Sequence, residues 1–152
     1  MKIRKATPKD AKEISQLIRS TIEKVNIKDY TKRQVTALVK KNNVEHVLKK
    51  IKEREIFCLT DKGKILGSIS LAENKIGGLF VRYDCLRKGI GEKLLNFIEN
   101  YAKHKRIKEL KLFSTKTAYK FYLGHGYKFK KRCFMLIGGQ KLYALEMRKR
   151  LK

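Results

Sequence analysis

Tryptophan is absent from the 152-residue chain, and proline occurs once, at Pro8. With 42% hydrophobic residues, this composition excludes a proline-rich linker or a disordered chain. One folded domain spanning residues 1–152 is expected. Cysteine is also scarce: Cys58, Cys85 and Cys133 are odd in number and lack metal-ligand spacing, so free thiols in a reducing cytoplasm are the expectation. The histidines, His46, His104 and His125, share no spacing that would make a ligand set, and no metal is expected. No apolar run approaches the roughly 18–20 residues of a membrane span, so no membrane partner is expected. The opening "MKIRKATPKD" lacks the apolar core of a signal peptide.

Acidic side chains are the scarcest class for a chain so rich in charge. Fourteen Asp and Glu face 39 Lys and Arg, a net charge of +25. The excess is uneven: residues 61–100 carry 7 basic and 5 acidic side chains, residues 101–152 carry 16 and 2. A field of this sign favours polyanions such as nucleic acid, ribosomes, acidic proteins or phosphorylated cofactors. Lysines that merely solvate the surface would give the same total, so charge alone selects no partner.

What is present is a regular order of elements. "KIRKA" alternates as a short strand, and Thr7-Pro8-Lys9-Asp10 supplies a helix start before Ala11, Ile14, Leu17, Ile18, Ile22 and Val25 at helical spacing. Thr31 and Gln34 form a second capping box, and Val44, Val47, Leu48 and Ile51 indicate a third helix. From Glu55 the pattern changes to strands: "EIFCLT" and "KILGSISLA" around the turn Asp61-Lys62-Gly63, then "KIGGLFVRYD". Gly77 and Gly78 inside that third strand predict a bulge or a close backbone approach. Leu86–Arg106 reads as a glycine loop and helix, "ELKLFS" as a strand, "TKTAYKFYLG" as a helix, and "YKFKKRCFMLI" with "KLYALEMRK" as a hairpin about Gly138-Gly139. The class is α/β.

The stretch "LRKGIGEKLL" places Gly89 and Gly91 at a strand-to-helix junction, beside Arg87 and Lys88. A helix N-terminus offers free N–H donors and a positive dipole end to anions, and glycine lets them approach. A short glycine motif alone also fits a plain turn.

In their order and spacing, "IRKATPKDAKEISQLI", "LGSISL", "LFVRYDCLRKGIGEKLL", "STKTAYKFYLGHGYKF" and "GGQKLYALEMRKRL" resemble the GCN5-related N-acetyltransferase (GNAT) superfamily over nearly the whole chain. The resemblance implies the acyl-CoA N-acyltransferase fold, a mixed and mostly antiparallel sheet flanked by helices, with acetyl-CoA as cosubstrate. It implies that Leu79, Phe80 and Val81 pair with the pantetheine arm as an added strand, and that Arg87, Lys88, Gly89, Ile90 and Gly91 cradle the pyrophosphate. Ser114 would contact the pantetheine, and the Val81 amide would hold the thioester oxygen. Tyr122 matches the tyrosine that serves the family as general acid; a phenol near pKa 10 is protonated at neutral pH. The family's loop carries Gln or Arg where this chain has Leu86, so one polar contact is missing.

No general base stands out; Glu55 and Glu73 lie near strand ends, where solvated carboxylates are common. Cys85 lies close to the loop, and an inert turn residue is its ordinary reading. The implied activity is acetyl transfer to a primary amine on a small molecule or protein, with an anionic or nucleic-acid-associated acceptor suggested by the basic C-terminal third. The competing reading is a nucleic-acid- or ribosome-binding module with little turnover. There Lys103, Lys105, Arg106, Lys108, Lys128, Lys130, Lys131 and Arg132 would meet phosphates while Tyr119, Tyr127 and Phe129 stack on bases. Oligomeric state is open between a monomer and a homodimer.

Overall fold

The computed structural model describes residues 1–152. Seven strands, β1 (Lys2–Lys5), β2 (Glu55–Asp61), β3 (Lys64–Ala72), β4 (Lys75–Val81), β5 (Glu109–Ser114), β6 (Lys128–Ile137) and β7 (Gln140–Arg150), form one sheet in the order β1-β2-β3-β4-β5-β7-β6. Every neighbouring pair is antiparallel except β4 with β5. Helices α1 (Ala11–Lys24), α2 (Lys32–Lys41) and α3 (Val44–Glu53) contribute to one core, and α4 (Ile90–His104) and α5 (Tyr119–Gly124) to the other. The period of two along β2 serves both: Phe57 and Leu59 enter the α4–α5 core, Ile56 and Cys58 the α1–α3 core.

Local chemistry sets the helix starts. A short 3₁₀ turn at Pro8–Asp10 precedes α1, and Asp10 accepts from the Thr7 amide at 2.8 Å and from the Arg4 guanidinium at 2.8 and 2.9 Å. The hydrogen-bonded guanidinium holds the Asp10 carboxyl down at about 2. At α2, the Thr31 hydroxyl accepts from the Gln34 amide at 3.2 Å, while Gln34 Oε1 accepts from the Thr31 amide at 2.9 Å. That is the capping box expected from the sequence.

Helix α4 buries Ile90, Leu94, Leu95, Ile98 and Ala102 against the sheet. It can do so because Gly67 of β3 has no side chain. A Cβ there would lie 2.8 Å from Leu94 Cδ1, 3.0 Å from Ile90 Cγ2 and 3.1 Å from the Phe80 carbonyl oxygen.

The expected irregularity in the third strand is a bulge. Ile69 pairs with Leu79 and Leu71 with Ile76, so β4 fits one extra residue at Gly77-Gly78, and Gly78 takes φ 114°. Ser70 fixes the bulge by donating to the Gly77 carbonyl at 2.7 Å. The bulge coincides with the end of the β4–β5 ladder, which pairs only Lys75 with Lys111 and Ile76 with Leu112. Beyond Ile76 the two strands part.

Two boundaries differ from the sequence reading. β4 ends at Val81, and Tyr83–Cys85 forms a 3₁₀ turn instead of more strand. The glycine loop and helix follow as expected, with a turn over residues 86–89 and the helix from Ile90. α5 begins at Tyr119 rather than Thr115, because the Thr115 hydroxyl accepts from the Ala118 amide at 3.2 Å and turns the chain first. One proposed stacking residue is also corrected. Tyr127 is 1% exposed and donates to Glu99 at 2.9 Å, so its ring is core and offers no face to a base.

Candidate active site

The parting of β4 and β5 opens a cleft of about 510 Å³. Its walls are β4, the end of β5, the C-terminal half of α1, the N-terminus of α4, and α5. Nine of the ten site residues expected from the sequence line it: Leu79, Phe80, Val81, Arg87, Gly89, Ile90, Gly91, Ser114 and Tyr122. Lys88 does not; it is exposed and lies outside the lining.

The three β4 residues have different roles. The Arg82 amide donates to the Leu66 carbonyl at 2.9 Å, and bonding alternates residue by residue along an antiparallel ladder. Phe80, opposite Ser68, therefore spends its backbone on β3. Leu79 and Val81 turn theirs toward the gap where β5 has moved away. Thr21 of α1 caps this edge by donating to the Val81 carbonyl at 3.0 Å, which leaves the Val81 amide as a donor into the cleft.

At the far end, Arg87 (φ 62°) and Gly89 (φ 78°) are left-handed and curl the loop into α4. No atom lies within 4 Å of a Cβ built at Gly89, so conformation rather than space demands glycine there. The first backbone bond of α4 runs from the Lys93 amide to the Gly89 carbonyl at 3.0 Å. The amides of Ile90, Gly91 and Glu92 have no helical acceptor and point out of the helix start. Arg87 and Lys88 are in no ion pair, so their charge is available to an anion at this spot. Leu86, where a polar side chain was missed, is 42% exposed and lines the cleft with hydrocarbon.

Tyr122 stands on the opposite wall. Its ring packs edge-on against Phe121 and Tyr127, with centroids 5.3 and 5.8 Å away, and burial pushes its phenol up to about 12. It stays protonated across the physiological range and has a proton to give. Ser114 is buried and donates to the Thr115 carbonyl at 2.7 Å, so its hydroxyl is already engaged in holding the end of β5.

The carboxylates considered for a base lie elsewhere. Glu55 bonds Tyr101 and Lys105, and Glu73 sits exposed in the β3–β4 turn. Glu92, in the first turn of α4, is the one carboxylate lining the cleft. The Cys85 thiol is pushed up by burial and by the neighbouring Asp84, which opposes thiolate formation.

Sequence reasoning missed Thr21, Asp29 and Tyr30. A second recess of about 530 Å³ adjoins the cleft and shares Tyr30, Thr115 and Thr117 with it. Asp29 closes the boundary by accepting from the Thr117 amide at 3.2 Å and its hydroxyl at 2.7 Å. This clasps the α1–α2 connection to the β5–α5 loop. Burial, then Asp29, raises the Tyr30 phenol. Neither residue sits in a local pattern that announces such a role; the contact joins positions 88 residues apart.

A cleft with amide donors along one strand, a helix start at one end and a protonated tyrosine across from them suits an extended ligand that ends in phosphates. Known proteins agree with this arrangement. The family model described as "Acetyltransferase (GNAT) domain" matches residues 26–150. Among curated proteins none matches the chain significantly in sequence. Among solved structures, a GCN5-related N-acetyltransferase from Rhodopseudomonas palustris, also named aminotransferase class II, aligns with TM-score 0.93 and 24% identity. The alignment covers 99% of this chain and 95% of that one. The PaiA N-acetyltransferase from Thermoplasma acidophilum, in complex with coenzyme A, aligns with TM-score 0.80 and 20% identity over 98% of both chains. An aminoglycoside 6'-N-acetyltransferase complexed with coenzyme A aligns with TM-score 0.73 and 17% identity over 100% and 98%. With its family model matched over most of its length and its sheet mixed, mostly antiparallel and flanked by helices, this chain belongs to the GNAT acetyltransferase family.

Proposed function

We propose that the protein is an N-acetyltransferase that moves acetyl from acetyl-CoA to a primary amine by direct attack in a ternary complex. The observation that carries this reading is the single cleft in which the free amides of Leu79 and Val81 lead to the open helix start at Ile90–Glu92. Coenzyme A held by two structures of the same fold supports it. The pantetheine arm adds to β4 through Leu79 and Val81, and the pyrophosphate meets the α4 amides with Arg87. The acceptor nitrogen attacks the thioester carbonyl carbon while the Val81 amide donates to the carbonyl oxygen. The carbon–sulfur bond breaks, Tyr122 protonates the departing sulfur, the extra amine proton passes to solvent, and a solvent proton restores the Tyr122 phenol.

Glu92, at the start of α4, is the one carboxylate of the cleft, and the adjoining recess is lined by Asp29 together with Lys28 and Lys116. The buried Asp29 Oδ2 bonds no protein group, so this carboxylate is free to take the amine proton on its way to solvent.

The acceptor is anionic overall or associated with nucleic acid. A groove of about 460 Å³ beside the β6–β7 turn supports this, lined by Lys32, Arg33, Lys40, Lys41 and His46 and by no carboxylate. A free polyamine would be repelled there. Acetyltransferases of this fold are named for acceptors as unlike as a ribosomal-protein alanine and an aminoglycoside, so acceptor choice rests on such surfaces rather than on the sheet.

Calorimetric titration with acetyl-CoA tests the reading; absence of binding at tens of micromolar overturns it. Tyr122→Phe should lower kcat roughly 10²–10⁴-fold and leave acetyl-CoA affinity unchanged. Equal rates would remove Tyr122 from the mechanism. Since the phenol titrates at about 12, it should impose no falling limb on kcat between pH 7 and pH 10.

A further inference from the structure

Helices α1 and α3 and the bulge of β4 enclose a second, much smaller cavity of about 30 Å³. Lys50 and Arg54 both line it, and no Asp or Glu does. Lys50 Nζ donates to Asn42 Oδ1 at 2.8 Å, and Asn42 Nδ2 donates to the Leu38 carbonyl at 2.8 Å, which fixes the amide with its oxygen toward the lysine. Arg54 is in no ion pair, and its Nη1 lies 3.4 Å from where a Cβ on Gly77 would stand. The Ser68 hydroxyl, on a residue 3% exposed, also faces this cavity and bonds no protein group. Ser70, by contrast, is committed to the Gly77 carbonyl. The charged groups that act on Lys50 are Arg54 and Lys41, both cations, which with burial as the larger cause push its amine down to about 8.

We propose that this cavity is a binding site for a monatomic inorganic anion, chloride in ordinary buffers, held by Lys50, Arg54 and Ser68. Two half-buried cations that share a cavity with no carboxylate lack a counter-charge. Three donors line the space; of the side-chain oxygens beside them, Asn42 Oδ1 is already taken by Lys50, and the Ser68 and Ser70 hydroxyls carry no charge to offset the two cations. A water needs roughly 10–15 Å³ of such space, so this cavity accommodates one monatomic anion and excludes phosphate or a carboxylate ligand. A water in its place would satisfy the donors without neutralising the charge.

The site makes no use of the acetyltransferase reading, and its test does not depend on turnover. Crystals of the wild-type protein soaked in bromide should show an anomalous peak between Lys50 and Arg54; absence of a peak there overturns the proposal. In solution, chloride should raise the melting temperature over gluconate at equal ionic strength and pH 7 by about 2–4 °C. Lys50→Met and Arg54→Met should each lose that chloride increment, whatever their absolute stability. The wild-type increment should shrink as pH rises through about 8, where Lys50 gives up its proton. Equal melting temperatures in the two salts, or an increment that survives both substitutions, would leave water as the occupant and refute the site.

Discussion

On one side of the cleft, β4 and α4 form the wall with backbone. Leu79 and Val81 present amides, Ile90 and Gly91 present amides, and the side chain of Ile90 goes into the core. Outside the cleft, α2 and the β6–β7 hairpin present side chains. Lys32, Arg33, Lys40 and Lys41 stand along α2, while Phe134, Leu136 and Tyr143 lie 50%, 68% and 68% exposed on the hairpin. The first surface depends on glycines and packing, the second on charge. A side that works through backbone tolerates change in its exposed side chains but not in its geometry. A side that works through side chains has the opposite sensitivity.

Substitutions on each side should separate the two. The largest effect is expected for Gly67→Val, which drives a side chain into Leu94, Ile90 and the Phe80 carbonyl. It should cost about 1–3 kcal/mol or more in denaturant unfolding and weaken acetyl-CoA binding by tilting α4. Next is a matched pair in the loop. Gly89→Ala meets open space but holds φ 78°, so it should cost about 1–2 kcal/mol. Gly91→Ala has ordinary contacts at 3.5 Å and should be neutral or slightly stabilising. Equal stability and acetyl-CoA affinity in the two variants would break the claim that conformation, not space, selects glycine at 89.

In the basic groove, Lys40→Glu with Lys41→Glu should change acceptor binding by about 0.2–1 kcal/mol per residue and flatten its salt dependence, with acetyl-CoA affinity unchanged. KM for an anionic acceptor measured across a salt series reads this directly. The smallest effect is expected for Phe134→Ser, which should stay within about 0.5 kcal/mol of wild type in unfolding midpoint. A larger loss would mean that the exposed hairpin face is covered in solution.

Much of the fold was legible because its signals are local. The helical spacing of Ala11 to Ile22, the Thr31–Gln34 box and the Gly138-Gly139 turn, with φ 55° and 77°, act within a few residues of chain. Boundaries drifted where a side chain competed with the backbone, as Thr115 did before α5. In the candidate site, the glycine loop and Tyr122 carried recognisable patterns. Thr21 and Asp29 did not, because their bonds reach across 60 and 88 residues. Tyr127 was misread for the same reason: beside lysines in the chain, it lies beside Glu99 in space.

The sequence by itself determined the order of elements, the positive field and the glycines that permit left-handed turns, since each follows from residue type and short-range periodicity. Only the tertiary structure decided that β4 and β5 part after Ile76, that Leu79 and Val81 rather than Phe80 keep free amides, and that Gly67 is needed for the approach of α4. These depend on which strand lies beside which, and hydrogen-bond register and close packing are set only when distant segments meet.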